Sequence, residues 1–414
     1  MSPVNHPSLL YVKKNFAEYY QDQPRISFPS VMKSREFGFA LFEGQMVRHK
    51  CFGSIDELGS YLRTCVPSDA YFSCAYYENP LAEMDMKGWL GADLVFDIDA
   101  DHIDAPCGKI HDIWKCSNCG FEGKGFIPEK CPACGGQKFD AKTWPCDECL
   151  KSAGNETAKL INMLLEDFGF SPKDLHVFFS GHRGYHVHVE SEAVKTLDAG
   201  ARKEIVDYVT ALGLDVGLTS VDRKNSTKAR PPNAPRLDDL GWHGRIAKCM
   251  YDLVLKGKNE DYAKLELRRN VVETITKNRV AILKSWDDVG PYLALKGVGL
   301  ETWARIVDHC VDSLSAQVDT VVTTDIHRLI RLGGALHGKT GFKKMEFPSS
   351  SIEDFDPMKM AVAFTKGTVS VLISEAPEFR IGDETFGPYK NQKIELPTAA
   401  AILLICKKRA EVAE

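Results

Sequence analysis

The stretch GADLVFDIDADHID, residues 91–104, opens as an apolar strand and closes in a crowd of acids. Side chains alternate faces along a strand, so Val95, Asp97 and Asp99 share one face while Leu94, Phe96 and Ile98 take the other. Two carboxylates at a strand end, pointing the same way, repel each other unless a cation lies between them. Hard oxygen donors of this kind suit Mg²⁺ or Mn²⁺. The plainer alternative is a solvated strand end running into an acidic turn. Asp101 is expected past the end of the strand and Asp104 at the entry to the next segment, so both read as turn residues.

A second pattern lies downstream. FFSGHRGYHVHVE (178–190) reads as a hairpin, with His186 and His188 on one face and Tyr185, Val187 and Val189 on the other. Ser180, His182 and Arg183 sit in or beside its glycine-flanked turn, where backbone N–H groups and a bidentate guanidinium can receive a nucleotide's phosphates. A transition-metal site at His186 and His188, or a purely structural hairpin, are the competing readings.

GGALHGKT (333–340) spells the P-loop pattern G-x-x-x-x-G-K-[ST], but the pattern requires a preceding buried strand and a following helix. TTDIHRLIRL before it reads as a helix or mixed segment, and GFKKMEFPSS after it starts no helix. A P-loop NTPase is therefore disfavoured, and His337 and Lys339 are kept as phosphate contacts through their side chains.

Seven of the 13 cysteines crowd into residues 107–149, which in a reducing compartment points to metal rather than disulfides. The pairs Cys116/Cys119 and Cys131/Cys134, each with a glycine after the second cysteine, read as the two knuckles of a zinc ribbon. Cys107, His111, Cys146 and Cys149 are then expected to form a second tetrahedral set, free thiols being the alternative, so one or two Zn²⁺ are anticipated. Cys51, Cys74 and Cys249 read as core residues.

The remaining chain bounds the answer. Its 414 residues call for two or three structural units, and a net charge of −5 means that any nucleic-acid partner needs a local basic surface. No run approaches the ~20 apolar residues of a membrane span, and the chain reads as cytosolic. RKNSTKARPPNAPR (223–236) has five basic residues and no acid, which fits either a solvated loop or a template contact. Lys109, Lys115, Lys124 and Lys130 in the ribbon segment leave the same choice. Helices are expected at 7–20, from Ser54 to about Cys65, at 156–170, 191–212, 258–284 and near 300–315. Strands are expected in REFGFALF, MVRHKCF and YFSCAYY, with two short strands and a closing helix in the tail 369–414. Strands and helices in this order describe an α+β core carrying two insertions.

DLVFDID, FSGHRGYHVHV and VDTVVTTDIHRLIRLGGALHGKTGF, in that order, resemble the three motifs of the archaeal and eukaryotic DNA primase small, catalytic subunit. SGHRGYH and RLIRLGGALHGKTGF are most similar to the archaeal form. The resemblance implies a catalytic core with an RRM-like mixed sheet. Its core segments would be 1–106, 151–191 and 316–414, interrupted by a zinc-binding insertion (107–150) and a mainly helical one (192–315). It implies synthesis of short primers from NTPs, and possibly dNTPs, on single-stranded DNA by two-metal nucleotidyl transfer. Asp97, Asp99 and the distant Asp319 would hold the metals, with Asp325 a nearby competitor. Ser180, His182, Arg183, His186, Arg331, His337 and Lys339 would contact the nucleotide. The family's zinc site maps onto Cys107, His111, Cys146 and Cys149, and the knuckles between them are an addition. A large primase subunit is the implied partner, in the nucleoid at replication sites. A stand-alone repair-type primase-polymerase and a non-enzymatic zinc-ribbon nucleic-acid binder are the alternatives.

Overall fold

The computed structural model describes residues 6–22, 26–216, 234–288, 290–291 and 295–413. The chain forms two compact units, one of residues 1–161, 171–206 and 317–414, the other of 162–170 and 207–316. Residues 217–233, which hold most of the basic stretch 223–236, lie outside the described residues.

The first unit is built on two four-stranded sheets. In one the order is Leu329–Arg331, Asp69–Ser73, Phe37–Ala40, Met46–Lys50; in the other it is Met345–Phe347, Leu175–Phe179, Gly184–Val189, Leu94–Asp99. Every pair in both is antiparallel, which corrects the expectation of a mixed sheet. Leu175–Phe179 and Gly184–Val189 show the reason: four residues join them, and so short a connection can only reverse the chain.

Helix Pro7–Gln21 packs over the first sheet. It buries Val12, Phe16 and Tyr20 at fourfold spacing, whereas Leu10 is exposed. Helix Ile55–Cys65 starts as its sequence demands: the Ser54 hydroxyl accepts the Glu57 N–H, and the Glu57 carboxylate reaches back to the Gly53 N–H. The two helices and Phe37, Phe39, Phe72, Leu332 and Leu336 close one hydrophobic core. The cysteine-rich segment carries its own three-stranded sheet (Ile113–Cys116, Glu122–Lys124, Phe139–Lys142). Helix Asp147–Glu166 starts well before the expected residue 156. The tail strands Thr368–Ala376 and Tyr389–Pro397 are longer than expected. The closing helix stops at Cys406, and the chain ends in a further strand, Ala410–Val412.

In the second unit, helix Gly241–Lys256 lies between the expected helices 191–212 and 258–284, where the sequence reading expected none. Its buried Trp242, Ile246, Met250 and Val254 recur every four residues, a period obscured by Gly241 and Gly244 at its start. Cys249, expected as a core thiol, is disulfide-bonded to Cys310 on helix Leu300–Leu314. Among the described residues no helix is long and apolar enough to cross a membrane.

Candidate active site and metal centres

Pairing between the acidic strand and the histidine strand places the first set of groups. Asp97 lies opposite His186, Val95 opposite His188 and Asp99 opposite Gly184, so the carboxylates and imidazoles share one face of the sheet. His186 Nε2 is 3.4 Å from Asp97 Oδ1. Gly184 is required where it stands: a Cβ there would lie 2.2 Å from the Ile98 carbonyl oxygen. Asp319 arrives from more than 200 residues away. Its N–H donates to the Asp97 carbonyl at 2.9 Å, and its carboxylate caps the short helix Thr320–Thr324 by accepting from the Val321 N–H at 2.8 Å.

The electrostatics follow from crowding. Burial pushes the Asp97 carboxyl up to about 7, and the charges of Asp99 and Asp319 push in the same direction. Burial also raises Asp99, against the pull of Arg183 and His102. Asp97, Asp99 and Asp319 are partly exposed carboxylates, and the charges of the latter two bear on Asp97; oxygen donors of this kind suit a hard divalent cation. Asp325 is differently engaged: its carboxylate accepts the His327 N–H at 3.0 Å and lies 4.0 Å from Arg328.

The hairpin turn and the 329–344 segment supply the second set. The Ser180 hydroxyl accepts the N–H groups of His182 and Gly184, both at 3.3 Å. Arg183 is buried and pairs with Asp101 and with Asp112 (2.7 Å), leaving Nε facing Asp99 at 3.9 Å. Asp101, read as a turn residue, is thus also an ion-pair partner. His182 and His337 stack at 5.2 Å. Arg331 pairs with Asp69, and Lys339 is exposed. Burial holds His182, His186 and His337 well below the ordinary histidine range. They therefore act as neutral hydrogen-bonding groups, and positive charge is left to the arginines. The P-loop spelling dissolves in the structure. The Gly338 N–H donates to Asp69, the Lys339 N–H to His337 Nδ1 and the Gly341 N–H to the His337 carbonyl. These amides are consumed, and the chain runs on to strand Met345–Phe347 rather than into a helix.

Both cysteine sets assemble. Around His111 Nε2 stand Cys146 at 3.1 Å, Cys107 at 3.5 Å and Cys149 at 3.6 Å, with Cys107 also 3.5 Å from Cys149. Tetrahedral zinc sets sulfurs about 3.8 Å apart and a nitrogen about 3.6 Å from each sulfur, so these donors fit that ion. In the ribbon, Cys116–Cys134 is 3.6 Å and Cys119–Cys131 is 3.7 Å, again a zinc-sized cage. Gly120 and Gly135 take positive φ after the second cysteine of each knuckle, and their N–H groups close the turns onto the Cys116 and Cys131 carbonyls.

A family model described as "DNA primase small subunit" matches residues 140–347. The DNA primase small subunit PriS of Nitrosopumilus maritimus is 30% identical over 414 residues, covering 99% of this chain and 100% of the relative. This chain belongs to the DNA primase small subunit family. PriS of Methanococcoides burtonii is 33% identical over 422 residues, covering 97% of each chain. PriS of Archaeoglobus fulgidus is 33% identical over 408 residues, covering 96% of this chain and 97% of the relative.

Sequence reasoning missed four charged groups in this primase-family site. Lys344 is fully buried, donates to the Arg331 carbonyl at 2.7 Å and lies 3.4 Å from His188. Burial drives its pKa well below the lysine range. Lys407, from the tail, is 2.6 Å from His182 Nε2, and burial pushes it down to about 7. Asp69 anchors Arg331, and Asp112 anchors Arg183. None belongs to a recognisable motif. The doublet KK at 343–344, inside a segment that otherwise alternates, was the one available signal.

Proposed function

We propose that the chain is the catalytic subunit of a primase, making short primers from NTPs on single-stranded DNA by nucleotidyl transfer. The observation that carries this reading is the convergence of Asp97, Asp99 and Asp319 beside a second set of basic and hydrogen-bonding groups. Asp97 and Asp99, with Asp319, would hold Mg²⁺ or Mn²⁺. Such cations, when bound, acidify an attacking 3′-hydroxyl and stabilise a leaving pyrophosphate. Asp319 is favoured over Asp325 as the third carboxylate because its charge bears on Asp97, whereas Asp325 is held by His327 and Arg328.

Ser180, His182, Arg183, His186, Arg331, His337 and Lys339 would bind the incoming nucleotide. The neutral histidines hydrogen-bond to phosphate or sugar oxygens, and exposed Lys339 meets the triphosphate first. Arg331, fixed by Asp69, and Arg183, fixed by Asp112, present guanidinium groups already oriented before substrate arrives, so no ordering is required at the transition state. We read the two antiparallel sheets as the catalytic core, 107–150 as a zinc-binding insertion and 192–315 as a helical one. A relative named "small subunit" implies a large partner subunit, and we extend that pairing to this chain.

The test is template-directed primer synthesis from labelled NTPs on single-stranded DNA, with and without a large subunit. Wild-type protein is expected to make primers, and Asp97→Ala and Asp99→Ala proteins to fold and make none. Near-normal synthesis by either variant would overturn the site assignment. Initiation from two free NTPs that is insensitive to the large subunit would favour the stand-alone repair-type enzyme.

A further inference from the structure

Asp112 is not part of any motif, yet it touches both halves of the chemistry. Its side chain is almost fully buried. Oδ1 accepts from His111 Nδ1 at 2.8 Å and from the Trp144 N–H at 2.8 Å, while Oδ2 accepts from Arg183 Nη1 at 2.7 Å. His111 presents its other nitrogen, Nε2, to the three sulfurs of the Cys107, Cys146 and Cys149 set. Arg183, on the far side, extends Nε toward Asp99 at 3.9 Å and pairs with Asp101 through Nη2.

We propose that Asp112 is a positioning residue that couples the Cys107/His111/Cys146/Cys149 metal cluster to Arg183 of the nucleotide site. The coupling to nucleotide rests on the function proposed above; the coupling to Arg183 does not. The chemistry is that of a carboxylate behind a metal-ligating imidazole. Accepting the Nδ1–H fixes the tautomer that leaves Nε2 free to bind zinc, and it strengthens the ligand. Here the same carboxylate has a second oxygen, and that oxygen holds a guanidinium. A buried carboxylate has no water to replace a lost partner, so loosening either side reorganises the other. Beyond the more distant Asp99, Arg183 has two close anionic partners of different character. Asp112 is enclosed and fixed, whereas Asp101 is partly open to solvent. Asp112 is therefore the anchor, and Asp101 occupies the fork that a phosphate would take. On this account the cluster in the insertion sets the aim of the arginine beside the acidic strand, besides stapling its own loop.

The experiment uses the zinc-loaded full chain and follows zinc transfer to a chromophoric chelator. The phase belonging to this cluster is the one that survives Cys119→Ser, a substitution in the ribbon set. In Asp112→Asn one oxygen becomes a donor amide, which cannot accept from both His111 and Arg183. Zinc release should accelerate by roughly 10–100-fold, the usual effect of losing such a partner. Arg183→Ala should also alter release, and the double variant should be no faster than Asp112→Asn alone, because both act through one contact chain. Asp112→Glu, which keeps both acceptor oxygens, should recover much of the wild-type rate. The nucleotide arm is reciprocal: Mg-NTP should slow zinc release in wild type and not in Asp112→Asn. Asp112→Asn should also raise the nucleotide KM more than it lowers kcat. Additive effects in the double variant, or an unchanged release rate in Asp112→Asn, would overturn the coupling. If Arg183→Ala leaves the nucleotide KM unchanged, the nucleotide assignment fails instead, and the zinc-release cycle still decides whether Asp112 couples the two groups.

Discussion

Replacing Asp97 by asparagine should abolish catalysis and, without divalent cations, stabilise the protein. The Asp97 carboxyl stands at about 7 against an ordinary 3.8, pushed up by burial and then by Asp99 and Asp319. Its pKa is raised in the folded state, so the protonated form favours folding. That contribution is fully present below about pH 4 and is lost as pH rises through 7. The free-energy equivalent of the displacement is roughly 4 kcal/mol. A quarter of the side chain reaches solvent, and screening there reduces the figure to ~1–3 kcal/mol.

Asparagine has nearly the same shape and no charge to desolvate. The advantage of Asp97→Asn over wild type should be near zero below about pH 4, grow between about pH 4 and 7, and reach that ~1–3 kcal/mol by pH 8. For a chain of this size the difference is a Tm increase of a few degrees. The assay is thermal unfolding across pH in buffer free of Mg²⁺ and Mn²⁺ that leaves zinc in place. Adding Mg²⁺ should raise the wild-type Tm and leave Asp97→Asn almost unmoved. Primer synthesis should fall at least ~100-fold, the equivalent of the few kcal/mol that a bound cation contributes. A variant less stable than wild type at pH 8, or a difference that does not change with pH, would refute the crowding argument.

Three further outcomes are expected. Asp319→Asn should remove activity, whereas Asp325→Asn should retain it within several-fold; primer yield at saturating Mg²⁺ separates them, and the reverse order would exchange their roles. Asp101→Asn removes the solvent-facing competitor for Arg183, so the nucleotide KM should fall about two- to fivefold with kcat little changed, as expected when uniform binding improves. Gly184→Ala sets a Cβ against the Ile98 carbonyl oxygen. The pairing of the acidic and histidine strands should loosen by more than ~3 kcal/mol, read as loss of soluble, cooperatively unfolding protein.

The parts of this site that sequence exposed are those carried by short-range periodicity. Alternation of two places Asp97 and Asp99 on one face, and it does the same for His186 and His188; the register then shows the two faces to be one. Cysteine spacing sorted seven cysteines and a histidine into two sets, because C-x-x-C knuckles have few geometries open to them. What stayed hidden depends on contacts across long separations. Lys407 meets His182 across 225 residues and Arg183 meets Asp112 across 71. No local pattern distinguishes such a lysine or aspartate from a solvated one. Helix Gly241–Lys256 was lost for a different reason: the glycines at its start lower local helix propensity, and its buried face repeats only once that start is ignored.

The buried face of the second sheet shows how the chain tolerates so much polar chemistry indoors. Leu94, Phe96, Ile98, Val187 and Val189 fill one face and are completely dry, while the other carries Asp97, His186 and His188. Few of these polar groups are neutralised by a firm ion pair. Burial instead drives each toward its uncharged form: the histidines and Lys344 downward, Asp97 upward. A site held neutral in this way carries a consequence for ligand binding. To receive a divalent cation, Asp97 must surrender the proton that its raised pKa favours. Cation binding is then coupled to proton release, so Mg²⁺ affinity should climb as pH rises from 5 to 7 and level off above 8. Calorimetry in buffers of different ionisation enthalpy measures the released proton directly. A Mg²⁺ affinity that stays flat from pH 5 to 8, with no buffer-dependent heat, would mean that Asp97 is already ionised and that the sheet holds its carboxylates apart by some other means.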